Sequence, residues 1–257
     1  MKLDKIIEPV KNDFEVCRQL YNDTLSHDDS LLNMILSFIG KRQGKMMRPL
    51  LVLLTGRLLS KESISLIQLA TAYELFHTAS LVHDDVVDDS DERRGQASVK
   101  HMFTNKCAVL AGDYLLSQTL SYISRANNPV LVNIMSEAAS CLASGELLQL
   151  SEDNEQHYLR IIENKTAALF RACAESGAVA VGATDEDRKK MRELGYCIGM
   201  LFQIKDDMLD KEKDEDTGQK LISQYLTRAK VLINSYPESD IQEALIAYTE
   251  YTVNRNN

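Results

Sequence analysis

The stretch Leu81-Val82-His83-Asp84-Asp85-Val86-Val87-Asp88-Asp89-Ser90-Asp91-Glu92-Arg93-Arg94-Gly95 passes abruptly from apolar to acidic and then to basic. Apolar residues lead into it from Leu75 with neither Gly nor Pro between them, so the spacing predicts the end of a buried helix. On a helix, positions i, i+1 and i+4 share a side. Asp84, Asp85 and Asp88 then stand together, with neighbouring turns about 5–6 Å apart. Carboxylates held so close repel strongly unless a cation lies among them. Donors that are all carboxylate oxygens favour a hard ion such as Mg²⁺ over zinc. Two arginines follow at once. A metal cluster facing guanidinium groups suits a diphosphate, whose oxygens can bridge the metal and Arg together.

A solvated acidic helix end is the bland alternative for one such run. A second copy decides against it: Phe202-Gln203-Ile204-Lys205-Asp206-Asp207-Met208-Leu209-Asp210 repeats the i, i+1, i+4 spacing after an apolar approach from Ile198. One DDxxD is weak; two, each closing an apolar helix, are strong. The pair suggests a site built between antiparallel helices of a bundle.

The 257 residues can form one large domain, and with four prolines, eleven glycines and dominant helical periodicity the expected class is all-α over 1–257. A net charge of −9 argues against nucleic acid as a partner, and it leaves capture of any anionic substrate to local cations and metal. The five cysteines, Cys17, Cys107, Cys141, Cys173 and Cys197, are odd in number and show no CxxC, as expected of reduced thiols in a cytoplasmic protein. Met1-Lys2-Leu3-Asp4-Lys5 opens no secretory signal, and no apolar run approaches about 18 residues, the length of a transmembrane span.

Residues 1–26 read as an amphipathic helix or pair with Ile6, Ile7, Val10, Phe14, Val16 and Leu20 for a core. In Gly44-Lys45-Met46-Met47-Arg48-Pro49, Pro49 is expected to open a helix, placing Lys45 and Arg48 at an N-terminus that favours anions. Two apolar helices are expected over 50–60 and 64–83, then helices from Phe103 to Leu116 and from Pro129 to Leu150. His77 lies two turns before Asp84. Gly112 within a helix implies a close helix contact; Asp113 is either a buried hydrogen-bond partner or a support for a cation. Lys165 stands on an otherwise apolar face, which is costly unless its ammonium meets an anion. A small-residue helix, Ala172 to Gly182, suits tight packing.

With these residues in hand, the chain resembles the trans-polyprenyl diphosphate synthase family from about Gly44 to Asp210. The match rests on Gly44-Lys45-x-x-Arg48-Pro49, His77, Asp84-Asp85-x-x-Asp88, Arg93-Arg94-Gly95, Gly112-Asp113, Lys165-Thr166 and Phe202-Gln203-x-x-Asp206-Asp207-x-x-Asp210. The resemblance implies an isoprenoid-synthase-type helical bundle around a central cavity, working as a homodimer. It implies that Asp84, Asp88, Asp206 and Asp210 bind more than one Mg²⁺ ion, with Asp85 and Asp207 completing the two catalytic motifs. Arg93, Lys165 and Lys205 would hold the allylic diphosphate. Lys45, Arg48, His77 and Arg94 would hold isopentenyl diphosphate, while Thr166 and Gln203 line the reacting centre. Gln96-Ala97-Ser98-Val99, Phe103 and Asn105-Lys106 resemble the longer-chain, octaprenyl and heptaprenyl branch that makes quinone tails.

A growing tail would run beside the helix bearing Asp84. The small Ala79 and Ser80 leave its first turn open, and Phe76 is the next bulky candidate for a floor. Thr217-Gly218 is followed by Gln219-Lys220 and a terminal helix, Leu221 to Asn234, where the family carries a longer loop; residues near 150–157 are also short. Absent loop residues would raise the intact mass well above 29.0 kDa. The rival readings are a short-chain synthase, a non-catalytic subunit of a heteromeric prenyl synthase, and a terpene cyclase. A cyclase needs no second diphosphate site, and non-catalytic subunits tend to lose one acidic motif.

Overall fold

The computed structural model describes residues 3–41, 44–59, 63–93, 95–150, 157–210 and 214–254. They are nearly all helical, as expected, and form two compact units: Met1–Lys11, Leu50–Leu66 and Asn128–Asn257 in one, Asn12–Pro49 and Ile67–Asn127 in the other.

In chain order the helices are α1 (Leu3–Ile7), α2 (Lys11–Thr24), α3 (Ser30–Gly40), α4 (Met47–Leu59), α5 (Ile64–Val87), α6 (Val99–Met102), α7 (Asn105–Arg125) and α8 (Pro129–Gln149). After α8 come α9 (Tyr158–Ile162), a π-helical turn (Glu163–Ala167), α10 (Ala168–Ala180), α11 (Asp185–Leu209), α12 (Glu215–Ile233) and α13 (Asp240–Asn254). A two-residue hairpin, β1 (Glu92–Arg93) and β2 (Gln96–Ala97), interrupts the helices. No helix of the described residues is long and apolar enough to cross a membrane.

Local chemistry sets most boundaries. Asp29, Thr104, Asn128, Thr184 and Asp214 cap α3, α7, α8, α11 and α12, each side chain accepting from a first-turn N–H. Pro49 is the third residue of α4 and not its first, because the helix already begins at Met47. Val16, expected in the core, is 49% exposed. The buried stripe of α2 runs Phe14, Cys17, Tyr21, and a residue two after Phe14 falls on the other side. Two further expectations change at the C-terminal end. Thr217 to Lys220 is helical within α12, and Leu221–Asn234 is not the last helix, since α13 follows.

In the unit of Asn12–Pro49 and Ile67–Asn127, α5 is the buried element: Leu69, Tyr73 and Leu75 are almost wholly covered. Tyr21 and Thr78 share a hydrogen bond of 2.9 Å, and Thr71 donates to the Cys17 sulfur at 3.4 Å. Gly112 makes the expected close contact: a Cβ there would meet His83 Nε2 at 2.1 Å.

In the other unit α10 and α11 pack with their backbones nearly touching. A Cβ on Gly195 would lie 2.5 Å from the Phe170 carbonyl oxygen, and one on Gly199 would lie 2.5 Å from Ala167 Cα. Gly177 makes room in the same way for Thr55. The one acidic residue buried in α10, Glu175, is bracketed by Arg188 at 2.7 Å and Arg192 at 2.9 Å. The five cysteines are unbridged, and burial pushes the Cys17 and Cys197 thiols up to about 12.

Gly199→Ala tests the α10–α11 contact. At an unconstrained helical position the change would stabilise by about 1 kcal/mol. Here it forces a methyl into the backbone of Ala167, an overpacking cost of about 1–3 kcal/mol. The expected outcome is a lower denaturation midpoint; a higher one would show that the helices are not this close.

Candidate active site

The first acidic motif closes α5, and its three carboxylates are not equivalent. Asp84 is half-buried, Asp85 is 2% exposed and Asp88 is exposed. Asp85 points the same way as Glu74, His77, Thr78 and Leu81, one to three turns earlier on α5, and all five line a cavity of about 60 Å³ together with Gly44 and Arg93. A volume of that size holds a few waters, at roughly 10–15 Å³ of such volume each. Arg93 Nε donates to Asp85 Oδ1 at 2.5 Å. The hairpin makes this reach possible: Arg93 pairs with Gln96 across a two-residue loop, and Gly95 adopts a φ of +72° that other residues avoid.

Lys100, which the sequence reading passed over, braces the same turn. Its ammonium lies 2.5 Å from Asp89 and 3.2 Å from Asp91, with its side chain only 6% exposed. Hydrogen bonds from Lys100 and then His101 hold the Asp91 carboxyl below its usual range.

Of the other residues expected here, His77 lines the cavity, and Gly44 brings the Lys45 loop to it. Lys45 is exposed, Arg48 is half-buried within the first turn of α4, and Met46 between them takes a φ of +49°. Arg94 lies outside the described residues. Asp113 is not the buried partner considered above; its side chain is 60% exposed, 3.5 Å from His83. Phe76, Ala79 and Ser80 are buried, Ser80 donating to the His77 carbonyl, and none of the three lines the cavity.

The second motif closes α11 with the same gradation: Asp206 half-buried, Asp207 6% exposed and Asp210 exposed. Asp207 is again the anchored member, accepting from Tyr158 Oη at 2.6 Å and Gln203 Nε2 at 2.7 Å. Gln203 Oε1 in turn accepts from Thr166 Oγ1 at 2.7 Å. Lys165 finds the anion its apolar surroundings demand: Glu146 of α8 at 2.8 Å, with Gln149 Oε1 accepting at 2.5 Å. Gly145 permits the approach, since a Cβ there would press on Lys165 at 2.9 Å. Lys205, between Gln203 and Asp206, is half-buried. Tyr158 and Glu146 were missed in the sequence, where nothing separates them from an ordinary aromatic and an ordinary surface acid.

The donor chemistry suits Mg²⁺. Among the described residues no three Asp, Glu, His or Cys side chains form a ready metal cage. Mg²⁺ ordinarily takes one or two carboxylates and completes its octahedron with water and phosphate oxygens. Asp84 and Asp206 are half-buried and Asp88 and Asp210 exposed, so each motif keeps carboxylate oxygens within reach of an ion from solvent.

A family model described as Polyprenyl synthetase matches residues 29–234. The chain is 34% identical over 235 residues to an octaprenyl diphosphate synthase of Escherichia coli (strain K12), covering 90% of this chain and 73% of that protein. A polyprenyl synthase from Caulobacter crescentus CB15, solved with calcium and isoprenyl diphosphate, superposes with a TM-score of 0.91 at 25% identity, over 100% of this chain and 98% of that one. A geranylgeranyl pyrophosphate synthase from Bacteroides thetaiotaomicron superposes with a TM-score of 0.80 at 33% identity, over all of both chains.

Arg93→Met tests the anchoring of Asp85. It removes a charge-assisted bond to an almost buried carboxylate and is expected to cost about 1.5–3 kcal/mol in denaturant unfolding. An unchanged midpoint would show that Asp85 does not depend on Arg93.

Proposed function

The chain belongs to the polyprenyl synthetase family, and we propose that it condenses isopentenyl diphosphate head-to-tail onto an allylic diphosphate, making a medium- or long-chain trans product for a quinone side chain. The observation that carries this reading is the repeated motif in which the second aspartate is buried and hydrogen-bonded, the first half-buried and the last exposed. Asp84, Asp88, Asp206 and Asp210 would hold more than one Mg²⁺, which draws negative charge onto the leaving diphosphate. Arg93, Lys165 and Lys205 grip the allylic diphosphate; Lys45, Arg48, His77 and Arg94 grip isopentenyl diphosphate. The allylic C–O bond ionises, its electron pair leaving with diphosphate. The isopentenyl double bond then attacks the cation, and the proton lost from the adduct goes to the departing diphosphate. Thr166 and Gln203 face the cation with oxygen atoms.

The octaprenyl relative supports the longer product. The geranylgeranyl relative keeps a short-chain product as the second reading. A non-catalytic subunit is disfavoured because both acidic motifs are whole. The two units are proposed to serve one catalytic domain, in a cytoplasmic homodimer. Val109, Leu110 and Leu120 of α7, respectively 41%, 67% and 61% exposed, support pairing with a second copy.

Incubating the protein with Mg²⁺, isopentenyl and farnesyl diphosphates, and sizing the product, tests the activity. Asp84→Ala or Asp206→Ala should then lower turnover at least about 100-fold, the scale of one preorganised electrostatic group, with the fold kept. A variant within tenfold of the parent would remove these carboxylates from the site.

Chain length is tested by Ala79→Tyr. One helical turn spans about 5.4 Å, close to one isoprene unit, so a ring one turn before Asp84 should block the tail. The expected outcome is a short-chain main product with the first condensation largely kept. An unchanged product distribution would show that the tail does not pass Ala79.

A further inference from the structure

Tyr158, Asp207, Gln203 and Thr166 form an unbroken chain of hydrogen bonds of 2.6, 2.7 and 2.7 Å. Its direction follows from what each group can donate. An ionised carboxylate only accepts, so the Gln203 face toward Asp207 must be the amide NH₂. That leaves the Gln203 carbonyl toward Thr166, and the carbonyl only accepts, so the Thr166 hydroxyl must spend its single proton on Gln203. Whatever else Thr166 meets, it meets with oxygen lone pairs.

The start of the chain is fixed as firmly as its end. Tyr158 packs its ring on the buried cluster of Ile162, Ala167, Met200, Leu201, Ile204 and Ile222. Its hydroxyl occupies Asp207 Oδ2, and the Gln203 amide occupies Oδ1. Asp207, 6% exposed, is thereby held inward, while Asp206 is half-buried and Asp210 exposed.

We infer that Tyr158 is a positioning residue for the reaction: acting through Asp207 and Gln203, it sets the polarity of the Thr166 hydroxyl so that a lone pair, and not a proton, faces the allylic cation. This rests on the condensation proposed above. Without the anchor Asp207 can turn, and the Gln203 amide can then reverse. Its NH₂ would donate to Thr166, whose own proton would be freed toward a positive charge it repels. The loss falls on the step that develops the cation and leaves the grip on either diphosphate unchanged.

Tyr158→Phe keeps the ring and removes the one hydroxyl. Turnover is expected to fall about 10-fold, the scale found for groups that orient others at a site, with KM for isopentenyl and allylic diphosphates within twofold of the parent. The decisive comparison places the change in a Thr166→Val background, where no hydroxyl remains to orient. There Tyr158→Phe should have no further effect on turnover. A Tyr158 that matters only for packing would lower the rate equally in both backgrounds, and that result overturns the inference, as does an unaltered rate in the parent. Thermal denaturation of each variant identifies one that fails to fold. If Tyr158→Phe is that variant, the isosteric Asp207→Asn is put through the same two backgrounds, with the same outcomes deciding. Absence of any product from the parent protein would instead overturn the underlying condensation reading, and the inference with it.

Discussion

The missing Cβ atoms of Gly195 and Gly199 set the distance on which the second acidic motif's surroundings depend. With Ala167 Cα only 2.5 Å from where a methyl would be, α11 and the chain from Ala167 to Phe170 cannot move apart without losing contact, nor closer without clash. Close packing of this kind leaves few arrangements open. Side chains one or two turns beyond the contact therefore meet at fixed range: Thr166 reaches Gln203, and Tyr158 reaches Asp207.

A second constraint is charge. Each motif crowds carboxylates at the end of an apolar helix, where like charges repel. Both relieve it alike, by turning the middle aspartate inward onto a dedicated donor. For Asp85 the donor is a guanidinium delivered by a hairpin; for Asp207 it is a phenol and an amide. One arrangement keeps a full opposing charge and the other none. The repeat is thus one of geometry and not of partners.

Much of this was legible in the sequence because it depends on local periodicity. The helical class, the two motifs and the close contact at Gly112 all follow from spacing within one element. What spacing could not supply were the partners brought from elsewhere in the chain. Lys165 plainly needed an anion, but that Glu146 is one required knowing that Gly145 lets α8 approach. Asp85 and Arg93 are eight residues apart and each was singled out, yet their union depends on a hairpin two residues long per strand, too short for any alternation to register. Val16 was assigned to the core because it is apolar, whereas the stripe of α2 passes on its other side. Thr217-Gly218 was placed before the helix because the family it resembles carries a longer loop there. Here it lies in the first turn of α12, which Asp214 caps by accepting from the Thr217 N–H, and Gly218 packs closely on Met208.

The π-helical turn from Glu163 to Ala167 carries an evolutionary implication. Such a turn holds one residue more than the α-helix around it, and each residue rotates a helix by about 100°. Deleting a single residue from Glu163–Ala167 would restore regular winding at no cost in backbone hydrogen bonds. It would also swing α9 about a quarter of a turn or more, carrying the Tyr158 hydroxyl off Asp207 while leaving α10 and α11 packed. The smallest possible in-frame deletion would thus cost the Tyr158–Asp207 bond and keep the fold, which makes the count of residues in this turn, apart from their identity, part of what positions the site.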